Sequence, residues 1–169
     1  IGAALLLSGP TSPSETKGEG KVTDTELLLG PKEDRQAVGT PSAKVTIVEF
    51  GDFQCPACGA AYPIIRQIKD EYKDKIYFVF RNFPLPQHQN AAISAEAAYA
   101  AGQQGKFWEM HDKLYQDQDS WGEKATAKDI IAGYASELGL DFTTYIDAVD
   151  KKAGESKIKK DQNDGYQLG

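Results

Sequence analysis

Cys55 and Cys58 enclose the tetrapeptide Cys55-Pro56-Ala57-Cys58 and are the two cysteines of a 169-residue chain. A spacing of three places both sulfurs on one face of a first helical turn, where thiol–disulfide exchange becomes available. Only a thiolate attacks a disulfide, so the surroundings of each sulfur decide the chemistry. An apolar run, Val45-Thr46-Ile47-Val48-Glu49-Phe50, comes just before, and a helical pattern follows directly. Cys55 is then expected at the N-cap, where the free N–H groups of Ala57 and Cys58 and the helix dipole favour negative sulfur. Cys58, one turn further in, is less exposed and reads as the resolving thiol. Pro56 and Ala57 tune the pair: Pro56 carries no N–H and Ala57 no side-chain donor. Once the attacking thiol ionises below ambient pH, each further unit is worth ~1.4 kcal/mol. That moves a two-electron couple by ~30 mV toward a more oxidising disulfide.

Glu49 is the one charged residue in that apolar strand, six positions before Cys55. A buried carboxylate is costly unless paired or used. One reading has Glu49 pass a proton to or from Cys58 through water as the disulfide opens and closes. The other has it reach solvent or pair with a lysine. His88 and His111 could complete a Cys₂His₂ set, but their separation is far from zinc-site spacing. The pattern therefore implies no metal and no cofactor. His88 reads as a surface residue near a helix start and His111 as packed on a helix face. Phe53, Trp108 and Trp121 are candidates for a binding surface, against the commoner reading of Trp108 as core.

The elements that must hold this site follow from periodicity. Val45–Phe50 is β-branched and apolar, as a strand buried on both faces should be. Gly51-Asp52-Phe53-Gln54 forms the turn into a helix from about Pro56 to Tyr72, with Pro56 favourable at its first position. Ile64, Ile65 and Ile68 are expected on one face, and Pro63 to kink the helix near residues 60–63. Ile76–Phe80 is a second buried strand, completing a right-handed βαβ unit with a parallel strand pair. Leu27-Leu28-Leu29, closed by Gly30-Pro31, reads as a short first strand. From Asn90 the period is helical: an Ala-rich helix to Gly102, and one over 105–116 carrying Phe107, Met110, His111 and Leu114. A third begins with a capping-box-like Thr126-Ala127-Lys128-Asp129 and ends at Gly139. A fourth begins at Asp141 or Thr143 with Phe142, Tyr145, Ile146 and Val149 apolar, and the last spans about Glu155–Leu168. Two or three strands followed by helices leave a sheet with an open edge.

The length suits one domain with a core of useful size. Apolar residues make up 40% and charged residues 26%, the balance of a globular chain. A net charge of −6 argues against nucleic acid as partner. Two cysteines exclude a disulfide-rich scaffold, and the loop they would close is too short to brace a fold. Ile1–Leu7 is apolar but far short of the ~20 residues that cross a bilayer. It reads as the end of a signal-peptide core or of an N-terminal membrane anchor, against a fusion scar or a plain disordered end. Ser8–Glu26 is a flexible tether by composition. The division is then a tail over 1–26, a βαβ portion over 27–87 and a helical portion over 88–169.

The stretch from Val45 through Cys58 resembles the active-site segment of DsbA-like thiol:disulfide oxidoreductases. Arg81-Asn82-Phe83-Pro84-Leu85 and Gly105–Asp112 resemble two further segments of that family, and the likeness covers about residues 38–169. The resemblance implies an α/β thioredoxin-like fold with the helical portion as an insertion. It implies Cys55 as attacking cysteine, Cys58 as its partner, and Glu49 at the family's buried acidic position. It also implies a bacterial protein outside the cytoplasm, in the periplasm or at the cell surface. Its partners would be folding cysteine-containing secreted proteins and a membrane redox protein, quinone-linked or similar, that reoxidises it. Family members follow a stretch like Tyr166–Gly169 with a cis-proline loop, two strands and a helix; the expectation here is a chain lacking that C-terminal part.

Three functions compete at this point. The leading one is an oxidase that donates its disulfide through a mixed disulfide at Cys55. The second is a reductase or isomerase of extracytoplasmic disulfides, and the third a non-catalytic redox-sensing binding module.

Overall fold

A computed structural model describes residues 23–169; Ile1–Leu7 and the tether over 8–22 lie outside the described residues. The first element is a helix, α1 (Asp24–Leu29), where the leucine triplet suggested a strand. A capping box decides this: Glu26 N–H donates to Thr23 Oγ1 at 3.2 Å, and Thr23 N–H donates to Glu26 Oε2 at 2.8 Å. The tether expected to run to Glu26 therefore gives way to helix at Asp24. The missing strand is β1 (Gln36–Gly39), which lies in a segment that reads as polar turn residues. It gains its structure from pairing antiparallel with β3 (Ile76–Asn82), distant in the chain: Gln36 stands opposite Phe80 and Gly39 opposite Tyr77.

β2 (Val45–Gly51) leads into α2 (Pro56–Tyr72), and β3 (Ile76–Asn82) returns parallel to β2, as expected. The sheet order is β1-β3-β2, so β3 is central and Phe78, Val79 and Phe80 have no exposed surface. Register sets the faces: Ile47 pairs with Phe78 and Glu49 with Phe80, while Phe50 pairs with Arg81 on the opposite face. α2 runs unbroken through Pro63. Of its isoleucines, Ile65 and Ile68 pack on the core, but Ile64 is 62% exposed. The buried line runs Cys58, Tyr62, Ile65, Lys69 at steps of four and three; Ile64 falls about 100° from Ile65, toward solvent.

The remaining helices are α3 (Ala91–Gln103), α4 (Phe107–Gln116), α5 (Gln118–Trp121), α6 (Ala127–Glu137), α7 (Phe142–Asp150) and α8 (Glu155–Leu168). Small side chains let α3 pack against α4, α6, α7 and α8. Asp141 caps α7 by accepting from Thr144 N–H at 2.8 Å, whereas Thr126 makes no capping bond at α6. Phe142, expected on an apolar face, is largely exposed at the start of α7. Trp121 is fully buried, and Trp108 packs on the core from its edge.

α8 returns to the sheet and packs on β3, β2 and α1. Its anchor is Arg81, buried on the sheet face opposite Glu49. Arg81 Nε donates to Asp161 Oδ1 and Nη2 to Asp164 Oδ2, each at 2.6 Å. Arg81 Nη1 donates to the carbonyls of Leu27 and Leu28 at 2.7 and 3.0 Å, satisfying acceptors that a short helix leaves free at its end. One guanidinium thus ties α1, β3 and α8 together.

Candidate active site

The loop between β2 and α2 is held from three directions. Asp52, buried, accepts Gln54 N–H at 2.8 Å on one carboxylate oxygen. Its other oxygen accepts Leu85 N–H at 2.9 Å and His88 Nδ1–H at 2.6 Å. Its carbonyl accepts Cys55 N–H at 3.1 Å. Gln54, also buried, accepts Asn90 N–H at 2.6 Å and donates to Glu123 Oε1 at 3.1 Å. Gln118 Nε2 donates to the carbonyls of Phe53 and Cys55, at 2.6 and 3.0 Å. Phe53 fills the space beneath, stacked on Phe80 at 5.1 Å between ring centres. Four consecutive residues therefore reach the first turn of α2 with little freedom left.

Cys55 is the N-cap of α2 with extended backbone, and Pro56 stands at the first helical position. No acidic residue lies in the first turn of α2, so no side-chain charge there competes for the positive end of the helix. Both cysteines are free thiols and half-buried. Burial pushes the Cys58 thiol up to about 12, against a backbone hydrogen bond from Asp52; the neighbouring Cys55 and Glu49 charges push the same way. Cys58 thus holds its proton at neutral pH and loses it only to a group close by.

Glu49 is 7% exposed. Burial raises its carboxyl from 4.5 to about 7, with the Lys69 charge opposing. It forms no salt bridge among the described residues, so the lysine pairing weighed from the sequence is long-range rather than a contact. Lys69 instead lies 3.7 Å from Asp112 Oδ1 and 4.5 Å above the Trp108 ring. The loop, Glu49 and the first turn of α2 bring Cys55, Cys58, Glu49, Pro56 and Ala57 together at one end of the parallel pair.

The two histidines sit elsewhere in this network. His88 is bound to Asp52 and so touches the loop that leads to Cys55. His111 is fully buried among Phe53, Phe80, Trp108 and Tyr115, with Nδ1 2.8 Å from Asp112 Oδ1. Burial holds its imidazole down at about 4, so it is neutral at pH 7. No group of three or more metal-ligating side chains occurs among the described residues.

Sequence reading missed Asp52, Gln54, Lys69, Tyr115 and Gln118. Two had local signals: an Asp two residues before Gln54 is an Asx-turn pattern, and Lys69 continues the Cys58, Tyr62, Ile65 line. Tyr115 follows Leu114 on the buried arc of α4, and nothing in its sequence position shows that it approaches Gly51 of β2.

A helix that begins at a Cys-x-x-Cys pair, after a strand that runs parallel to the central β3 and carries a buried carboxyl, is the arrangement of the thioredoxin fold. The thioredoxin family profile matches residues 32–167, and the chain belongs to that family. Among solved structures, a thioredoxin-like oxidoreductase from Silicibacter pomeroyi is 26% identical with a TM-score of 0.70, covering 85% of this chain and 79% of its own. The same fold is found in BdbD from Bacillus subtilis (23% identity, TM-score 0.70, 80% and 76% covered). Wolbachia pipientis alpha-DsbA1 shares it too (22%, 0.72, 83% and 71%). A Na(+)/H(+) antiporter NhaA of Salinispora arenicola is 41% identical over 138 residues, which are 80% of this chain and 20% of that protein. The chain thus spans about a fifth of the length of such curated relatives.

Proposed function

We propose that this protein is a disulfide oxidase, donating the Cys55–Cys58 disulfide to folding proteins outside the cytoplasm. A substrate thiolate attacks Cys55 sulfur, and the Cys55–Cys58 bond breaks with its electrons going to Cys58. A second substrate thiolate then attacks the substrate sulfur of the mixed disulfide. The substrate leaves oxidised and both enzyme cysteines are reduced. The observation that carries the direction is the placement of Cys55 at the N-cap of a 17-residue helix with Pro56 next and no acid in the first turn. Negative charge at position 55 is stabilised there, which favours the reduced form and makes the disulfide a stronger oxidant. Disulfide donation also belongs to compartments where thiols are not kept reduced. A membrane redox partner that removes two electrons from the reduced pair would complete the cycle. The antiporters' ion transport is not carried over: 138 residues of this chain cannot avoid the thioredoxin-family segment.

Equilibration with a glutathione redox series, reading the fraction of Cys55–Cys58 disulfide, tests the direction. An oxidase is half-oxidised at a potential nearer the roughly −120 mV of DsbA than the roughly −270 mV of thioredoxin. A value near thioredoxin's assigns the pair to a reductase.

A further inference from the structure

Tyr115 is 4% exposed, and its hydroxyl has no hydrogen-bond partner among the described residues. A buried phenol left in that state costs free energy, so its position asks for a transient acceptor. The ring is pinned: it stacks on Tyr62 at 5.5 Å and lies against Phe53 at 5.0 Å and His111 at 5.1 Å between ring centres. Tyr62 is one turn after Cys58 on α2. The hydroxyl itself reaches to the end of β2, where a Cβ added to Gly51 would lie 2.8 Å from it and 2.5 Å from Phe80. Glycine at 51 is therefore what admits the phenol to the end of β2, where the charges of Glu49, Cys58, Asp52 and Cys55 all act on it.

We propose that Tyr115 Oη is the hydrogen-bond donor that receives the Cys58 sulfur when the disulfide opens. The proposal rests on thiol–disulfide exchange at Cys55 and Cys58, and it holds for either direction of transfer. When an incoming thiolate bonds to Cys55 sulfur, the Cys55–Cys58 bond breaks and Cys58 leaves as a thiolate in a buried place. Tyr115 O–H donates to that sulfur, and the Glu49 carboxyl then gives its proton to Cys58, ending as a carboxylate. In reverse, Glu49 takes the Cys58 proton, and the Cys58 thiolate, held by Tyr115, attacks Cys55 sulfur and expels the bound thiolate. Burial and the surrounding acids and sulfurs hold the Tyr115 phenol well above its ordinary value, so it donates without surrendering its own proton. Tyr115 acts on the charge that exists only during exchange. Rates in both directions depend on it, while the equilibrium between dithiol and disulfide does not.

The test compares wild type, Tyr115→Phe and Tyr62→Phe in rapid-quench reaction of the oxidised protein with glutathione, and of the reduced protein with oxidised glutathione. Tyr62 supplies the control, because its hydroxyl accepts from Gln116 at 2.9 Å. For Tyr115→Phe, both rates are expected to fall at least tenfold, about 1.4 kcal/mol of barrier, and the Cys55–glutathione mixed disulfide to accumulate in the reaction of the reduced protein with oxidised glutathione, where Cys58 must resolve it. The glutathione equilibrium constant should stay within about twofold and the thermal midpoint should not fall, since an unpaired buried hydroxyl has been removed. Tyr62→Phe should exchange at the wild-type rate. Unchanged rates in Tyr115→Phe, or rates that fall together with a shifted equilibrium or a lowered midpoint, overturn the proposal and leave exchange at Cys55 intact. A wild-type chain that forms no Cys55 mixed disulfide overturns the exchange reading itself, and the role of Tyr115 with it.

Discussion

Replacing Glu49 by glutamine should stabilise the protein, and by an amount that grows with pH. Burial raises the folded-state carboxyl from 4.5 to about 7. Through that window the folded chain holds a proton that the unfolded chain has already lost, so stability falls as pH rises. At about 1.4 kcal/mol per unit, the ionised side chain costs the fold about 3 kcal/mol at pH 8 and nothing below about pH 4. Glutamine has the same shape and no charge to desolvate. His111 tilts the raw curve the other way. Its folded-state imidazole is held down from 6.5 to about 4, so stability is lost as pH falls through that range. The two slopes oppose each other between about pH 4.5 and 6.5, and the difference between variant and wild type is the quantity to read. Urea unfolding of both proteins under a non-thiol reductant, from pH 4.5 to 8.5, supplies it. The gap should widen from near zero to about 3 kcal/mol, while exchange by the variant slows because the Cys58 proton has lost its nearby acceptor. A gap that stays constant across the series would show Glu49 ionising as an ordinary surface carboxylate, and the proton-transfer role would fall with it.

Cys58→Ala should trap substrate on Cys55 as mixed disulfides that accumulate on non-reducing gels, whereas Cys55→Ala should trap none. His111→Phe keeps an aromatic ring, though a larger one, and removes the buried base; whatever fixed cost the added volume carries, urea unfolding should show it gaining on wild type by up to about 3 kcal/mol as pH falls from 6.5 to 4. Arg81→Met leaves Asp161 and Asp164 buried without their main partner and the Leu27 and Leu28 carbonyls without a donor. Thermal unfolding should register a loss of about 3–5 kcal/mol, and hydrogen exchange should show the amides of α1 among the first to open.

The local parts of the site were legible because local rules place them. A β-branched run, a four-residue turn and Pro56 at a helix start put Cys55 and Cys58 on the first turn of α2 without any distant contact. The same kind of pattern located β3, the parallel pairing and the later helices, and Asp141 announced its cap. Where several local signals competed, the reading slipped. The leucine triplet suggested a strand, but Thr23 and Glu26 close a capping box around it. The isoleucine cluster suggested one face, but only Ile65 and Ile68 share it.

Composition and short-range spacing determined the reagent: a lone thiol pair at a helix start with a carboxyl six residues before it. Tertiary structure decided how that reagent is controlled, since the deciding contacts join residues far apart in the chain. Gln118 grips the Phe53 and Cys55 carbonyls from over sixty residues away. Arg81 binds Asp161 and Asp164 across eighty or more. Register turns Glu49 toward the aromatic core and Arg81 away from it. Tyr115 meets Gly51 only once α4 packs beside α2. No periodicity encodes such meetings, because burial and desolvation depend on which surfaces close over a side chain, and those are known only when the chain has folded.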